Sequence, residues 1–286
     1  MDIPILNVEQ ILRKVAGITD PPSLPVALQR VLELIVTQVE SPDELETFVR
    51  CDPGLTVRVI RIANSAYHGS RGKLLDLSQS ILLIGYDKVK SICIFALALE
   101  VFSGLELIKP IERERLWKHS FATARIAYEI ALRRPWIAEE QAYLLGFLHD
   151  FGRIIVAAHF GEQYQAMRDL AEKRKVPPRY IEPQFNLAHT QIGSWISRRW
   201  AMPELVRNIM EFHHQPEKSP SFKVEVKLIA LADILANSGQ FPEYLDDNFT
   251  RMYCNHLHIS QEEWEQYQAK LKELWPEVDQ FWSLLK

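Results

Sequence analysis

The residues of this chain best equipped for chemistry are His149 and Asp150, which close the apolar run Leu144-Leu145-Gly146-Phe147-Leu148 and stand just before Phe151-Gly152-Arg153. An imidazole and a carboxylate inside a hydrophobic segment each cost on the order of several kcal/mol unless a partner compensates them. A divalent metal is one such partner, and the hydrogen-bonded end of a helix is another. Neighbouring side chains on a helix point about 100° apart, so the two reach one ion only where a helix ends. Gly152 is read here as the stop signal.

The elements that would have to position these groups carry further metal-type side chains. A helix expected over 111–134 places His119 on one face with Leu116, Thr123, Ala127 and Ile130. His189 shares a stripe with Ile192, Gly193, Ile196 and Trp200, after an exposed loop marked by Pro177-Pro178 and Pro183. Pro203 opens a helix whose apolar side, Val206, Ile209 and Met210, ends at His213 and its neighbour His214. Asp233 falls with Val226 and Ile229 on a helix over 222–236. Each of these alone is more often a satisfied core residue, cap or salt-bridge partner than a ligand. Five helices that all turn such a group inward favour one shared polar centre, because unrelated core histidines would each need a separate hydrogen-bond solution. His68, His159, His256 and His258 lack this pattern and are expected in loops or at the surface.

Composition sets the frame. With 47% hydrophobic and 24% charged residues, 286 residues suffice for one large domain or two smaller ones. A net charge of −4 gives no general attraction to nucleic acid or anionic membranes, so a nucleic-acid partner is not expected. The three cysteines, Cys51, Cys93 and Cys254, are far apart and form no CxxC pair, which predicts buried thiols in a reducing compartment and no thiolate zinc site. Met1-Asp2-Ile3-Pro4 lacks the features of a signal peptide and the most apolar stretch, 92–99, is too short for a bilayer. A cytoplasmic protein with no membrane contact is therefore expected.

Scarce glycine and recurring helical periodicity predict an all-α protein. Helices are expected at 8–15, from Val26, from Ser41-Pro42-Asp43-Glu44 with a capping box, and from Asp52-Pro53 with Leu55, Val59, Ile62 and Ala63 inward. Arg58, Arg61 and Asn64 there could hold an anion, but solvated charges are the plainer reading. Short and central helices follow at 78–84, stopped by Gly85, and at 88–102. Ser103-Gly104 and Pro110 break the pattern and mark the expected boundary. The resulting plan is an N-terminal helical lobe (1–109), a helical core with the candidate site (110–237) and a C-terminal helical extension (238–286). In that extension Ser260 and Glu263 form a capping-box pair, Ile259 and Trp264 a hydrophobic staple, and Trp264, Tyr267, Leu271, Leu274, Trp275, Phe281 and Trp282 an amphipathic tail that packs over the domain or presents a partner face.

The order His119, His149-Asp150, Asp233 resembles the H…HD…D signature of the HD superfamily of metal-dependent phosphohydrolases, and His189 with His213-His214 resembles the added histidines of its cyclic-di-GMP phosphodiesterase branch. Pro22-Ser23-Leu24-Pro25, Asp52-Pro53-Gly54-Leu55, Arg61-Ile62-Ala63-Asn64-Ser65 and Ile84-Gly85 narrow this to a resemblance to the HDOD domain, an HD-related output module of bacterial signalling proteins. Leu116-Trp117-Lys118-His119-Ser120 and Ala188-His189-Thr190-Gln191-Ile192-Gly193 agree, and the likeness runs from about Pro22 to Ala236.

The resemblance implies an all-helical, two-lobed regulatory protein, with an N-terminal helical subdomain packed on an HD-type core, receiving its signal from a partner protein. Most members of such a family have no established enzymatic activity. The ligand types suit Fe, Mn, Zn, Ni or Mg, one or two ions. His119, His149, Asp150 and Asp233 are the implied first-site ligands, and His189, His213 and His214 a second set or phosphate-orienting groups. If the site is catalytic, Asp150 and Arg153 serve a metal-dependent phosphohydrolase acting on a nucleotide phosphomonoester or phosphodiester. Three departures stand out. Arg153 replaces the phosphodiesterase branch's lysine, Arg115 stands where that branch has a metal-binding carboxylate, and Gln215-Pro216-Glu217-Lys218 lacks the Gly-Tyr-Pro tripeptide. The last disfavours cyclic-di-GMP as substrate.

Overall fold

The computed structural model describes residues 5–17, 42–50, 53–66, 76–86, 89, 93, 110–238 and 247–285, and among these there is no strand. The chain is all-α, as glycine scarcity and helical periodicity predict. It divides into two compact units, one of residues 1–23 with 102–278 and one of residues 24–101 with 279–286.

Helix α1 (Val8–Gly17) belongs to the larger unit and buries Ile11 and Val15. The smaller unit is described over α2 (Pro42–Arg50), α3 (Pro53–Ala66) and α4 (Leu77–Ile84). Its packed faces are those the periodicity predicts, with Val59, Ile62 and Ala63 buried on α3. Arg61 is exposed, in keeping with a solvated charge. Asp76 caps α4 by accepting from the Gln79 amide, and Gly85 ends it at φ +85°, a left-handed backbone that favours glycine. The segment Pro22–Pro25, the expected helix from Val26 and most of that over 88–102 lie outside the described residues, as do Cys51 and His68. Cys93 and Cys254 are both buried.

The rest of the larger unit comprises α5 (Pro110–Ala131), α6 (Glu139–Leu148), α7 (Phe151–His159), α8 (Gly161–Arg174), α9 (His189–Arg199), α10 (Glu204–Phe212), α11 (Lys223–Ser238), α12 (Asp247–His256) and, as far as Val278, α13 (Gln261–Leu285). Three 3-10 turns, Pro178–Tyr180, Glu182–Phe185 and Pro216–Lys218, join them. The centre of the unit is α6 and α11, each apolar over most of its circumference: Leu144 to Leu148 are buried without a break, and on α11 every residue from Leu228 to Asp233 is buried. A fully buried Leu, Ile or Phe contributes about 1.5–3 kcal/mol, and it is this surplus that permits charged groups in the same interior.

Two glycines set how closely the helices approach. A Cβ on Gly146 would lie 2.8 Å from the Ala124 Cα, so α6 can lie against α5 only with glycine there. Gly152 is not a stop signal. It sits in the first turn of α7, where a Cβ would come within 2.0 Å of the His189 carbonyl oxygen and 2.6 Å of the Gly193 nitrogen. The residue is needed for backbone contact between α7 and α9, not for ending a helix. The stretch around Pro177–Pro183 is likewise more than an exposed loop, since Ile181 and Glu182 are buried. His159 closes α7 half-buried, whereas His256 and His258 are exposed.

The capping box of α13 forms as expected: the Ser260 amide donates to Glu263 Oε2 (3.0 Å) and the Glu263 amide to Ser260 Oγ (3.1 Å). Ile259 and Trp264 are buried beside it, and Tyr267, Leu271 and Leu274 turn inward too, so this part of the tail packs on its own unit. Arg134 ties it to the end of α5 through Glu263 (3.1 Å) and the Leu257 carbonyl (3.1 Å).

Candidate metal centre

The seven residues His119, His149, Asp150, His189, His213, His214 and Asp233 come together in the interior of the larger unit. They arrive from separate elements: His119 from the middle of α5, His149 and Asp150 from the break between α6 and α7, His189 from the first residue of α9, His213 and His214 from just past α10, and Asp233 from α11. The break between α6 and α7 lets adjacent His149 and Asp150 face one centre. His149 is the C-terminal cap of α6 and Asp150 the N-terminal cap of α7, with φ −94° and ψ 16°.

Two groups of potential ligands result, His119, His149 and Asp233 in one, and Asp150, His189, His213 and His214 in the other, each with one ligand atom per residue within 4.8 Å of the rest. In the first group His119 Nε2 lies 3.0 Å and His149 Nε2 3.5 Å from Asp233 Oδ1. Asp150 bridges the two. Its Oδ2 lies 3.6 Å from His119 Nε2 and 3.7 Å from His149 Nε2, and its Oδ1 3.2 Å from His189 Nε2 and 3.5 Å from His213 Nε2. His214 Nδ1 approaches Asp233 Oδ2 at 3.6 Å.

The outward nitrogens of three histidines are held. His149 Nδ1–H donates to the Gly146 carbonyl (2.6 Å), His213 Nδ1–H to the Ile209 carbonyl (2.9 Å) and His189 Nδ1–H to Glu182 Oε2 (2.5 Å). This tautomer directs each Nε2 lone pair at the centre, the arrangement used where imidazoles ligate metals. The Nε2 atoms then crowd one another, at 3.3 Å between His119 and His149 and 3.4 Å between His189 and His213. Ring nitrogens at such distances need a proton or a metal cation between them. Asp150 Oδ1, His119 Nδ1 and His214 Nε2 are also buried without a hydrogen bond. The donor set, imidazole nitrogen plus carboxylate oxygen with orphaned atoms turned inward, therefore fits a divalent metal.

The electrostatics agree. Burial pushes the Asp150 carboxyl up, but Arg153, His149 and His189 hold it well below the usual carboxylate range. Asp233 is buried too, yet the facing His119 and His149 rings hold it far down. For His149, burial is outweighed by Asp150 and Asp233, and its pKa is raised. For His189, burial is outweighed chiefly by Glu182. His213 and His214 have lowered pKa values through burial, for His214 joined by the neighbouring charge at His213. The centre thus draws positive charge to itself.

Arg153 lies over the bridging carboxylate. Its Nη1 donates to Asp150 Oδ2, its Nε lies 3.5 Å from Glu182 Oε1, and its Nη2 is 3.4 Å from His189 Nδ1. A cavity of about 540 Å³ opens over the centre, lined by His119, Arg153, His189, His213, His214 and Asp233 together with Arg115, Arg168 and Arg179. Arg115 and Arg168 both pair with the buried Glu112, at 2.9 Å each. Tyr164, Tyr180, Phe249 and Tyr253 add aromatic surface to its wall.

Sequence reasoning named all seven residues and Arg153, and missed Glu182, Arg168, Arg179, Phe249 and Tyr253. Phe249 and Tyr253 come from the C-terminal extension, whose expected role lay outside the site. Glu182 had no sequence signal beyond lying seven residues before His189.

Among the described residues no helix is long and apolar enough to cross a membrane. The HDOD domain family pattern matches residues 22–216. A solved HDOD domain protein of unknown function from Geobacter sulfurreducens is similar in fold, with a TM-score of 0.74, 21% identity and 95% of this chain and 97% of that chain covered. A phosphohydrolase candidate from Shewanella amazonensis SB2B gives a TM-score of 0.71 at 17% identity over 96% and 98% of the two chains. A candidate signal transduction protein from Marinobacter aquaeolei VT8 gives 0.75 at 20% identity, over 97% of this chain and 64% of that one. An uncharacterised protein of Treponema pallidum (strain Nichols) is 25% identical over 226 residues, 76% of this chain, which spans only 42% of that relative's length. With the family pattern covering more than half its length and the fold shared with a solved HDOD protein, this chain belongs to the HDOD domain family.

Proposed function

We propose that this HDOD domain is a signal-transduction output module that acts through protein contacts and carries a divalent metal at its HD-type centre. The observation that carries the metal is the tautomer-locked convergence of Nε2 atoms on two inward carboxylates. Five imidazoles and two carboxylates gathered in one interior would otherwise cost on the order of several kcal/mol per uncompensated group. The module reading is supported by the guanidinium on Asp150, which competes for an oxygen that a turnover site would leave to metal or water.

Elemental analysis of protein purified without chelators tests the metal. Stoichiometric Fe, Mn, Zn, Ni or Mg, lost in a folded His149→Ala variant, is expected. A folded wild-type protein that neither retains nor takes up metal would overturn it.

A second reading, hydrolysis of a nucleotide phosphoester, is favoured by the cavity. Arg115, Arg153, Arg168 and Arg179 place four guanidiniums around a space open to solvent, and guanidinium suits bidentate contact with phosphate. A bound metal would supply Lewis acidity toward a phosphoryl oxygen and activate water. The chain itself would seat the phosphate against Arg115, Arg168 and Arg179, hold the nucleobase against Tyr164, Phe249 and Tyr253, and use Arg153 to offset charge developing on the phosphoryl group. Release of inorganic phosphate or a linear nucleotide from a panel of phosphoesters, abolished by Asp150→Asn, would establish this reading. No release by fully metal-loaded protein would leave the contact-driven module in place.

A further inference from the structure

We infer that the Tyr164 hydroxyl and the guanidiniums of Arg115 and Arg168, braced on the buried carboxylate of Glu112, form an anion subsite in the cavity that takes the terminal phosphate of its ligand. The inference rests on the phosphoester reading above and deepens it, since there Tyr164 gave only ring surface and Glu112 had no part.

Two helices build the subsite. Glu112, Arg115 and His119 share the face of α5 that lines the cavity, and Tyr164 and Arg168, four residues apart on α8, line it as well. Glu112 is only 7% exposed and holds one nitrogen of each arginine, Arg115 Nη1 at its Oε1 and Arg168 Nε at its Oε2, both at 2.9 Å. Each guanidinium therefore keeps two further nitrogens, Nε and Nη2 on Arg115 and both Nη on Arg168, with no other acceptor among the described residues. One arginine would suffice to neutralise Glu112. The second leaves a surplus positive charge, and Arg179 in the same cavity lining adds another. Of the other carboxylates lining the cavity, Glu211 is paired with Arg198 at 2.8 Å, and Glu182 and Asp233 serve the metal centre.

Tyr164 points to a ligand independently. The residue is only 3% exposed, yet its hydroxyl has no hydrogen bond among the described residues and is not sealed off from the cavity that it lines. A phenol oxygen so deeply placed is costly without a partner. Burial pushes its pKa up, against the pull of Arg168 and Arg153, so the hydroxyl stays protonated and can donate. Three donor side chains with several N–H and O–H groups to spare suit the three free oxygens of a terminal phosphate better than the two of a carboxylate.

The test is calorimetric titration of the full chain, purified without chelators, with inorganic phosphate and with AMP at fixed pH and ionic strength, beside thermal unfolding of the same proteins without either anion. Wild type should bind both, and tighter binding of AMP would mark an ester rather than the free anion as the ligand. Tyr164→Phe should bind about tenfold or more weakly, having lost one hydrogen bond to a charged acceptor, while its unfolding midpoint stays at or above that of wild type. Arg115→Gln, at a side chain that is 50% exposed and so tolerant of change, should weaken binding in the same way. Wild-type affinity in either variant would overturn the subsite and leave the phosphoester reading intact. So would a lowered midpoint in Tyr164→Phe, which would give the hydroxyl a structural role. Failure of wild type to bind either anion would overturn both.

Discussion

Replacing Gly152 with alanine should separate the two helices that carry Asp150 and His189. The new Cβ would lie 2.0 Å from the His189 carbonyl oxygen, 2.6 Å from the Gly193 nitrogen and 2.9 Å from the Gly193 Cα, all backbone atoms that cannot rotate aside. Reaching an ordinary contact of about 3.4 Å requires α7 and α9 to part by about 1.4 Å at this point. Overpacking of a rigid interior costs about 1–3 kcal/mol, and backbone opposition on every side places this substitution at about 3 kcal/mol. For a unit of this size that lowers Tm by roughly 6–12 °C. The same parting lengthens the 3.2 Å approach of His189 Nε2 to Asp150 Oδ1, so any ligand shared by the two helices is held less well. Urea and thermal unfolding followed by circular dichroism measure the first effect. Gly17→Ala is the control, since a Cβ there meets nothing within 4 Å and no change beyond about 0.5 kcal/mol is expected. A Gly152→Ala protein with the wild-type midpoint would refute the argument that backbone contact between α7 and α9 sets the geometry of the centre.

Glu182→Ala should destabilise by about 3 kcal/mol or more, because it leaves His189 and Arg153 buried with a partner removed; Glu182→Gln, which can still accept at one oxygen, should recover part of the loss in the same melts. The raised pKa values of His149 and His189 give metal-free protein a stabilising protonation that is fully present below about pH 6.5 and lost as pH rises through the folded values. Calorimetric titration with Mn²⁺ in buffers of different ionisation enthalpy should therefore show more protons released per ion at pH 6 than at pH 9, and an equal release at both would refute it. Glu263 titrates below the usual carboxylate range, held down by the Ser260 amide and Arg134, so its contribution is present above the unfolded pKa and lost as pH falls through the folded one. Glu263→Gln should cost about 1 kcal/mol at pH 7, with the gap to wild type narrowing toward pH 3.

The helical period carried much of this protein on its own. His119, His189 and Asp233 fall at inward positions because the residues three and four places away are apolar, and that relation is local to one helix. The capping box of Ser260 and Glu263, and the stop at Gly85, are equally local and were legible for the same reason. Gly152 was misread because a helix stop and a close helix contact select the same absent Cβ, and only the position of His189 and Gly193 across the gap distinguishes them. Glu182 sits in a proline-rich stretch without period, so nothing along the chain indicated that two short turns would carry it beneath His189. Tertiary structure alone decided which oxygen of Asp150 faces which histidines, that Arg153 pairs with both Asp150 and Glu182, and that Phe249 and Tyr253 from the C-terminal extension wall the cavity. Local periodicity records which way a side chain faces on its own helix. Which side chains from other helices it then meets depends on packing between segments tens to over a hundred residues apart, and that information is not periodic.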